Sequence, residues 1–155
     1  LSLDEFITAS QPFVHGDMPW PADRFDDAVF AKVAPLIQTR IGALSDISSM
    51  VDFFFLAEPP IDQDAWAKSM SADFAADVLR AMVDGLAAVE WNHESIKSVL
   101  DAFTESRGLK LGKTQAPVRV AVTGRSVGPP LFESIEILGR EESLRRLGSA
   151  LAKVG

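Results

Sequence analysis

The sequence predicts an all-α fold, and three observations lead to that prediction. Apolar side chains recur every three or four residues along much of the 155-residue chain, as they do on one face of a helix. Capping residues stand before several of these segments, and glycines stand after them. The one alternating, β-branched stretch, Val118–Val122, has no convincing second strand to pair with, so a strand there would leave its backbone groups unsatisfied.

The first forty residues predict a helical turn, an irregular connection and a longer helix. The turn is indicated by apolar residues at Leu3, Phe6 and Ile7. The longer helix is predicted from Pro21, which suits a first helical turn, through Thr39. Pro35 lies within this segment and predicts a bend or a division of the helix.

A second helix and a boundary follow. After a break at Gly42, Ser45 or Asp46 suits the cap of a helix that reaches Phe55. The prolines of the segment EPPID, residues 58–62, end this helix because they favour extended backbone. We therefore predict two small helical subdomains, residues 1–61 and residues 62–155.

The second subdomain opens with three predicted helices. Asp62 or Asp64 suits the start of the first, which carries Trp66. The clearest amphipathic stripe of the chain belongs to the second and comprises Phe74, Val78, Met82, Leu86 and Val89. Asn92 suits the cap of the third, which Gly108 ends.

The segment after residue 116 supports two interpretations. Val118–Val122 alternates like a strand, but Pro117 can open a helix and Gly124 can close one. We predict a helix, because no partner strand is available. Two final helices are predicted over residues 133–138 and 142–154, divided by Gly139.

Composition narrows the class of protein. Hydrophobic residues make up 47% of the chain and charged residues 24%, as in a globular protein, and no apolar run reaches membrane-spanning length. The absence of Cys excludes disulfides and Cys-ligated zinc and fits a reducing compartment, so we expect a cytoplasmic location. Because the first residue is Leu and not Met, we expect the chain to be a piece of a longer protein.

Charge is distributed unevenly along the chain. Residues 1–106 contain 6 Lys/Arg and 18 Asp/Glu, whereas residues 107–155 contain 9 and 4. The net charge of −7 therefore divides into an acidic body and a basic C-terminal segment. Such a segment can form a local positive face for phosphates, although ordinary charge segregation is the simpler explanation from the residues alone.

The basic segment contains the one dense turn-forming loop, residues 123–130, with the sequence TGRSVGPP. Its prolines fix φ and remove backbone donors, and its glycines permit conformations that other residues resist. A loop of this kind is stiff and presents apolar and backbone groups to a partner. It predicts a recognition loop and does not by itself identify the partner.

Three segments of the chain resemble one known family. They are QTRIGALSDISSMVDFFF at Gln38–Phe55, AVEWNHESIKSVLDAFTESRGLKLGK at Ala88–Lys113, and a third containing RVAVTG, PPLFESIEILG and RRL. In this order and at these separations they resemble the C-terminal anticodon-binding region of bacterial glutamyl-tRNA synthetases, which are class I aminoacyl-tRNA synthetases. The resemblance implies an α-helical cage around a tRNA anticodon loop.

The resemblance also implies partners and cofactors. The partners are the anticodon loop and stem of a glutamate-accepting tRNA and the N-terminal catalytic domain of the parent chain, and neither DNA nor a membrane is expected. The parent is expected to be an ATP-dependent glutamate–tRNA ligase that uses Mg²⁺. This chain has neither of the family's two ATP-site signatures, the HIGH-like and KMSKS-like motifs, and no GxxxxGK[ST], GxSxG or HExxH motif. We therefore expect no catalytic residue, cofactor or metal site in it.

The resemblance assigns anticodon contacts to five residues, Arg40, Gly128, Pro129, Pro130 and Leu131. Arg40 matches the arginine with which the family reads the third anticodon base, and a planar guanidinium suits both bidentate hydrogen bonding and stacking. A surface arginine near a helix C-terminus is the structural alternative. Some family members have a hydroxyl residue in place of Gly128 and a small residue in place of Pro130, so Gly128 offers only backbone contact.

Other charged and aromatic residues have simpler explanations. Lys110, Lys113, Arg119 and Arg125 suit the phosphates of the anticodon stem, with solvated surface charge as the alternative. Three arginines on the last predicted helix are expected to pair with Glu141 and Glu142, namely Arg140, Arg145 and Arg146. The tryptophans Trp20, Trp66 and Trp91 are more typical of packing anchors than of base-stacking platforms.

Two other functions remain open from the sequence. A helical protein-interaction module could dock a partner through the Pro-rich loop. A small acidic enzyme could hold a metal with Asp73 and Asp77, which lie one helical turn apart, but no His or third carboxylate stands at a suitable spacing.

Overall fold

The computed structural model describes residues 1–155 and contains nine α-helices and no β-strand, which confirms the predicted all-α fold. Two short 3₁₀ turns lie at Ala22–Arg24 and Leu44–Asp46. No helix is both long enough and apolar enough to cross a membrane. The helices are α1 (Leu3–Val14), α2 (Asp27–Ile37), α3 (Ile47–Phe55), α4 (Gln63–Met70), α5 (Ala75–Leu86), α6 (His93–Ser106), α7 (Leu111–Thr123), α8 (Leu131–Leu138) and α9 (Arg140–Val154).

The chain forms two compact units. The first comprises residues 1–59 together with residues 128–130, and therefore contains α1, α2 and α3. The second comprises residues 60–127 and 131–155, and contains the remaining six helices. The short segment 128–130 thus belongs to the first unit although the chain on either side of it belongs to the second.

Aromatic packing forms the core of the first unit. The Phe25 and Phe55 ring centroids are 4.5 Å apart, and the Trp20 ring lies 5.3 Å from that of Phe55. Trp20 is buried, and its indole Nε1 donates a hydrogen bond to the Val14 carbonyl at 3.2 Å. A buried indole usually finds such a partner. Trp20 is therefore a packing anchor, as its amphipathic character predicts.

The helix boundaries of the first unit differ from the predicted ones. The predicted single turn at the start is a twelve-residue helix, α1, whose first turn has reciprocal capping between Ser2 and Glu5. Pro21 precedes only a 3₁₀ turn, and α2 begins later because the carboxylate of Asp26 accepts the amide hydrogens of Ala28 and Val29. Pro35 lies within α2 but does not divide it.

The second unit is built around α5. This helix packs against α6, α7 and α9, and the predicted stripe residues Val78, Met82 and Leu86 are fully buried. Asp62 caps α4 through its carboxylate, as predicted, and Asn92 caps α6. These caps satisfy amide groups that have no partner within their helices.

The segment Val118–Val122, which could be interpreted as a strand or a helix, is helical. Val118, Val120 and Val122 are all buried on α7, which packs against α4, α5, α6 and α9. A helix covered on most sides buries residues at alternating positions, so this pattern does not require a strand. Pro117 lies inside α7 and not in its first turn, whereas Gly124 ends the helix with a φ of +82°, as predicted.

Candidate nucleic-acid interface

Arg40 lies in the turn that follows α2, and its side chain is exposed. Its guanidinium Nη1 donates to the Leu36 carbonyl at 3.0 Å, so one nitrogen satisfies a carbonyl of the last helical turn. Nε and Nη2 make no hydrogen bond within the protein and remain able to donate to a partner. This position fits the predicted helix-terminal role and leaves a fork of donors facing solvent.

The predicted recognition loop presents its residues unequally. Pro129 is buried, and Gly128 and Pro130 are half-buried. Leu131 is the first residue of α8, and its side chain is only 3% exposed within the core of the second unit. The exposed part of the loop is instead Ser126 and Val127, and Val127 is 74% exposed.

Lys110 and Lys113 stand at the start of α7. Lys110 occupies the N-cap position, and Lys113 lies in the first turn. Both side chains are exposed, and neither forms an ion pair or hydrogen bond within the protein. Two unpaired ammonium groups on one helical turn form a local positive surface, although most of residues 1–106 is acidic.

Arg119 and Arg125 are less accessible than the two lysines. Both are half-buried, and both have partners within the protein. Burial lowers the pKa of the Arg119 guanidinium, although arginine stays protonated at neutral pH. The backbone amide of Arg125 donates to the Thr123 hydroxyl at 3.1 Å, which holds the start of the loop against the end of α7.

The arginines of α9 divide between two kinds of contact. Arg145 and Arg146 both pair with Glu142, at 2.6 and 3.0 Å, as the spacing predicts. Arg140 instead donates to the Val89 carbonyl and lies over the Trp91 ring, with 5.2 Å between guanidinium carbon and ring centroid. Glu141 pairs with none of the three. Arg140 therefore attaches the start of α9 to the segment before α6.

A groove between α4 and α7 is the feature that sequence reasoning missed. It has a volume of about 600 Å³ and lies within the second unit. Its lining includes Lys113, which the sequence singled out, and Lys68, which it did not. The four-residue spacing of Ala65 and Ser69 is the signal that could have indicated a shallow helix face beside Lys68.

Of the two carboxylates considered for a metal, Asp77 is paired with arginines. The two carboxylate oxygens of Asp77 contact Arg80 at 3.3 Å and Arg107 at 3.1 Å. No group of three or more His, Cys, Asp or Glu side chains lies close enough to hold a metal ion. His93 contacts Glu94 and Glu136 at 3.0 and 3.4 Å, and its backbone amide also donates to Glu136. The contacts between His93 and Glu136 thus connect α6 to α8.

Comparison with known families now identifies the domain. A family model described as an anticodon binding domain matches residues 5–151, which is nearly the whole chain. The chain belongs to the anticodon-binding domain family.

Glutamate–tRNA ligases are similar to the chain over almost all of its length. Identity is 52% over 160 residues with the enzyme of Salinispora arenicola and 54% over 151 residues with that of Frankia casuarinae. These alignments cover 99% and 97% of this chain but 34% and 32% of the two ligases. The anticodon-binding domain described here therefore spans about a third of the length of the curated relatives it matches.

Solved structures show the same fold. A glutamate tRNA ligase from Elizabethkingia meningosepticum, in complex with its amino acid, superposes with a TM-score of 0.81 at 22% identity. The match covers 100% of this chain and 30% of that one. The glutamate–tRNA synthetase of Elizabethkingia anophelis gives a TM-score of 0.74 at 24% identity over 98% of this chain and 29% of that one. The helical arrangement is thus that of a segment of these enzymes.

Proposed function

We propose that this chain recognises the anticodon loop of a glutamate-accepting tRNA as part of a glutamate–tRNA ligase. The family match over residues 5–151 carries the proposal, together with identities near 50% to glutamate–tRNA ligases over the whole chain. Residues 1–61 and 62–155 are the two subdomains of the anticodon-binding region in this proposal. The catalytic domain, ATP and Mg²⁺ belong to the rest of such a ligase, and the site of action is the cytoplasm.

Arg40 is the residue to which we assign base reading. Its Nε and Nη2 are unpartnered, and its Nη1 is anchored to the carbonyl of Leu36, so the guanidinium is oriented before a ligand arrives. An oriented planar fork can donate two hydrogen bonds to one base edge. Unstacked bases in RNA loops are commonly recognised at these edges. We assign the third anticodon base to Arg40, as the resemblance implies.

The loop contributes shape and backbone groups in this proposal. The half-buried Gly128 and Pro130 and the buried Pro129 form a stiff turn that would lose little conformational entropy on binding. The buried Leu131 side chain reaches solvent poorly, so we assign its contribution to backbone groups at the start of α8. Ser126 and Val127 supply the exposed side chains next to this turn.

In this proposal Lys110 and Lys113 position the tRNA and do not discriminate between base sequences. Lys110 and Lys113 are exposed and unpaired, so we assign them to phosphates of the anticodon stem. The half-buried Arg119 and Arg125 have internal partners and a smaller expected share of phosphate binding. Because phosphate contacts release counterions, such binding weakens steeply as salt is raised.

The exposed Val127 favours one alternative function. An apolar side chain that is 74% exposed beside two prolines suits a protein partner docked on the Pro-rich loop. A mainly apolar interface of that kind depends on salt much less than phosphate contacts do. Salt dependence therefore separates this interaction module from an RNA-binding domain.

Binding of anticodon stem-loops tests the proposal. Fluorescence anisotropy would compare a stem-loop carrying the glutamate anticodon with one changed at the third base, each at two salt concentrations. We expect tighter binding of the first at both salts and a steep loss of affinity for both at the higher salt. Equal affinity for the two stem-loops would remove the base-reading part of the proposal. No binding of either stem-loop at the lower salt concentration would favour the interaction module instead.

A further inference from the structure

The groove between α4 and α7 has the construction of a ligand site. On α4, Ala65 and Ser69 lie one turn apart on one face, and Ala72 follows in the turn after the helix; on α7, Gly112 and Ala116 are likewise one turn apart. These small side chains keep the two packed helices from filling the space between them, which leaves about 600 Å³. Ligand pockets in proteins commonly occupy about 300–1,000 Å³.

Two lysines line the groove, one from each helix. Lys68 is exposed on α4 and Lys113 is exposed on α7, and neither ammonium has an ion pair or hydrogen bond within the protein. Lys68 lies one turn after Asp64, the spacing at which helices commonly form ion pairs, yet these two side chains do not pair. Both ammonium groups therefore remain available to an anionic ligand.

Two carboxylates, those of Asp62 and Asp64, also line the groove, so its charge does not favour a purely anionic ligand. The Asp62 carboxylate accepts the amide hydrogens of Asp64 and Ala65 and is committed to the cap of α4. The Asp64 carboxylate makes no hydrogen bond or ion pair within the protein and offers an acceptor beside Lys68. A nucleotide satisfies both kinds of group, because its phosphate can meet a lysine while the amino group of its base meets a carboxylate.

An aromatic ring completes this set. Phe74 is half-buried, packs against the core of the second unit and lines the same groove. Bases stack on such rings without dependence on base identity. Ser126, an exposed residue of the predicted recognition loop, also lines the groove. The groove therefore adjoins that loop within the second unit.

We infer that the α4–α7 groove binds one nucleotide of the tRNA together with its flanking phosphates, with Lys68 and Lys113 on phosphates and Phe74 against the base. This inference rests on the proposed function, places Lys113 on a phosphate of the unpaired loop in place of the stem, and adds Lys68, Phe74 and Asp64 to the binding residues. Asp64 accepts from the amino group of a base and disfavours uracil, which has none.

The test measures binding of the glutamate-anticodon stem-loop to the wild-type chain and to single variants. Lys68→Gln and Lys113→Gln are each expected to lower affinity roughly three- to tenfold and to reduce the slope of log K against log salt by about 0.7, as for loss of one single-strand phosphate contact. Lys32→Gln is the matched control, because Lys32 is an exposed, unpaired lysine on α2. It is expected to change affinity less than twofold.

Two further variants separate groove occupancy from general electrostatics. Phe74→Leu is expected to lower affinity several-fold at an unchanged salt slope, because stacking releases no counterions. Asp64→Asn is expected to reduce the preference of the chain for oligocytidine over oligouridine. Thermal melting of each variant checks that the second unit remains folded.

The outcomes distinguish this inference from the proposed function. If the wild-type chain binds the stem-loop and Lys68→Gln and Phe74→Leu behave like Lys32→Gln, the groove inference is overturned and the proposed function stands. If the wild-type chain does not bind the stem-loop at low salt, the proposed function itself fails. Loss of affinity in both groove variants, with the Lys32 control unaffected, supports the inference.

Discussion

Arg146 on α9 donates a hydrogen bond from Nη1 to the carbonyl oxygen of Val122 in the last turn of α7, at 2.8 Å. The Arg146 side chain is only 5% exposed, and its Nε also contacts Glu142 at 3.0 Å. A buried guanidinium thus satisfies a helix-terminal carbonyl that has no partner within its own helix. Since the recognition loop follows directly after α7, this contact fixes the point from which the loop departs.

Loss of this contact should destabilise the second unit. Arg146→Met leaves the Val122 carbonyl buried without a donor, and we expect a loss of about 2–3 kcal/mol in the free energy of unfolding. Urea titration followed by tryptophan fluorescence would measure it. Arg145→Met is the control, because Arg145 also pairs with Glu142 but is 44% exposed, and it should cost at most about 1 kcal/mol. Equal costs for the two variants would contradict the capping role of Arg146.

Glu142 should make stability depend on pH. The hydrogen bond from Arg145, aided by Arg146, holds the pKa of Glu142 below its ordinary value of 4.5, although burial opposes the shift. The unfolded chain therefore takes up this proton at a higher pH than the folded chain does. The stabilisation is present above about pH 5 and is lost as the pH falls through the folded-state pKa.

Unfolding titrations at a series of pH values between 7 and 3 would measure this dependence, with Glu142→Gln as the test variant. The variant should be less stable at pH 7 and should lose less stability on acidification. Some acid sensitivity should remain, because hydrogen bonds from Ser2 also lower the pKa of Glu5. A variant whose stability falls with pH as steeply as that of the wild type would refute the assignment.

Gly124 is the glycine whose replacement should cost most. Its φ is +82°, and a Cβ atom built there would collide with the Pro60 carbonyl. The Gly124 carbonyl also accepts the Asp62 amide hydrogen at 2.8 Å, so movement away from Pro60 would break that bond. Gly124→Ala should lower the free energy of unfolding by about 2–4 kcal/mol.

Gly148→Ala provides the matched control for this prediction. Gly148 lies inside α9, and nothing stands within 4 Å of the position of its added methyl group. The replacement should stabilise the chain by about 0.5–1 kcal/mol, because alanine is the better helix former. If Gly124→Ala did not lower the free energy of unfolding either, the predicted collision of the added methyl group with the Pro60 carbonyl would be contradicted.

Much of the fold could be predicted from local signals. The caps at Asp62 and Asn92 and the helix end at Gly124 depend on chemistry within a few residues, and each stands where the sequence predicts it. The predicted start of α2 at Pro21 was wrong, because Pro21 and Asp26 both suit the start of a helix. Only packing decides between them, and the side chain of Asp26 supplies the cap.

The remaining features depend on tertiary packing. The valines of α7 alternate like those of a strand, and only the four helices around them make an α-helix the better state. The burial of Leu131 likewise follows from the core of the second unit, which periodicity within one segment does not reveal. Lys68 lines a groove with Lys113 only because α7 packs beside α4, and no pattern within either segment indicates that packing.

The base-reading role of Arg40 is the central claim and can be tested directly. Binding of Arg40→Ala would be measured to the glutamate-anticodon stem-loop and to stem-loops carrying each other base at the third anticodon position. Lys113→Ala would serve as the phosphate-contact variant, and Lys32→Ala, which removes an exposed and unpaired lysine, would serve as the control. We predict that Arg40→Ala removes the preference for the cognate third base, whereas Lys113→Ala weakens all stem-loops alike and Lys32→Ala changes none. Equal losses across all four stem-loops for Arg40→Ala, with the third-base preference retained, would contradict the account.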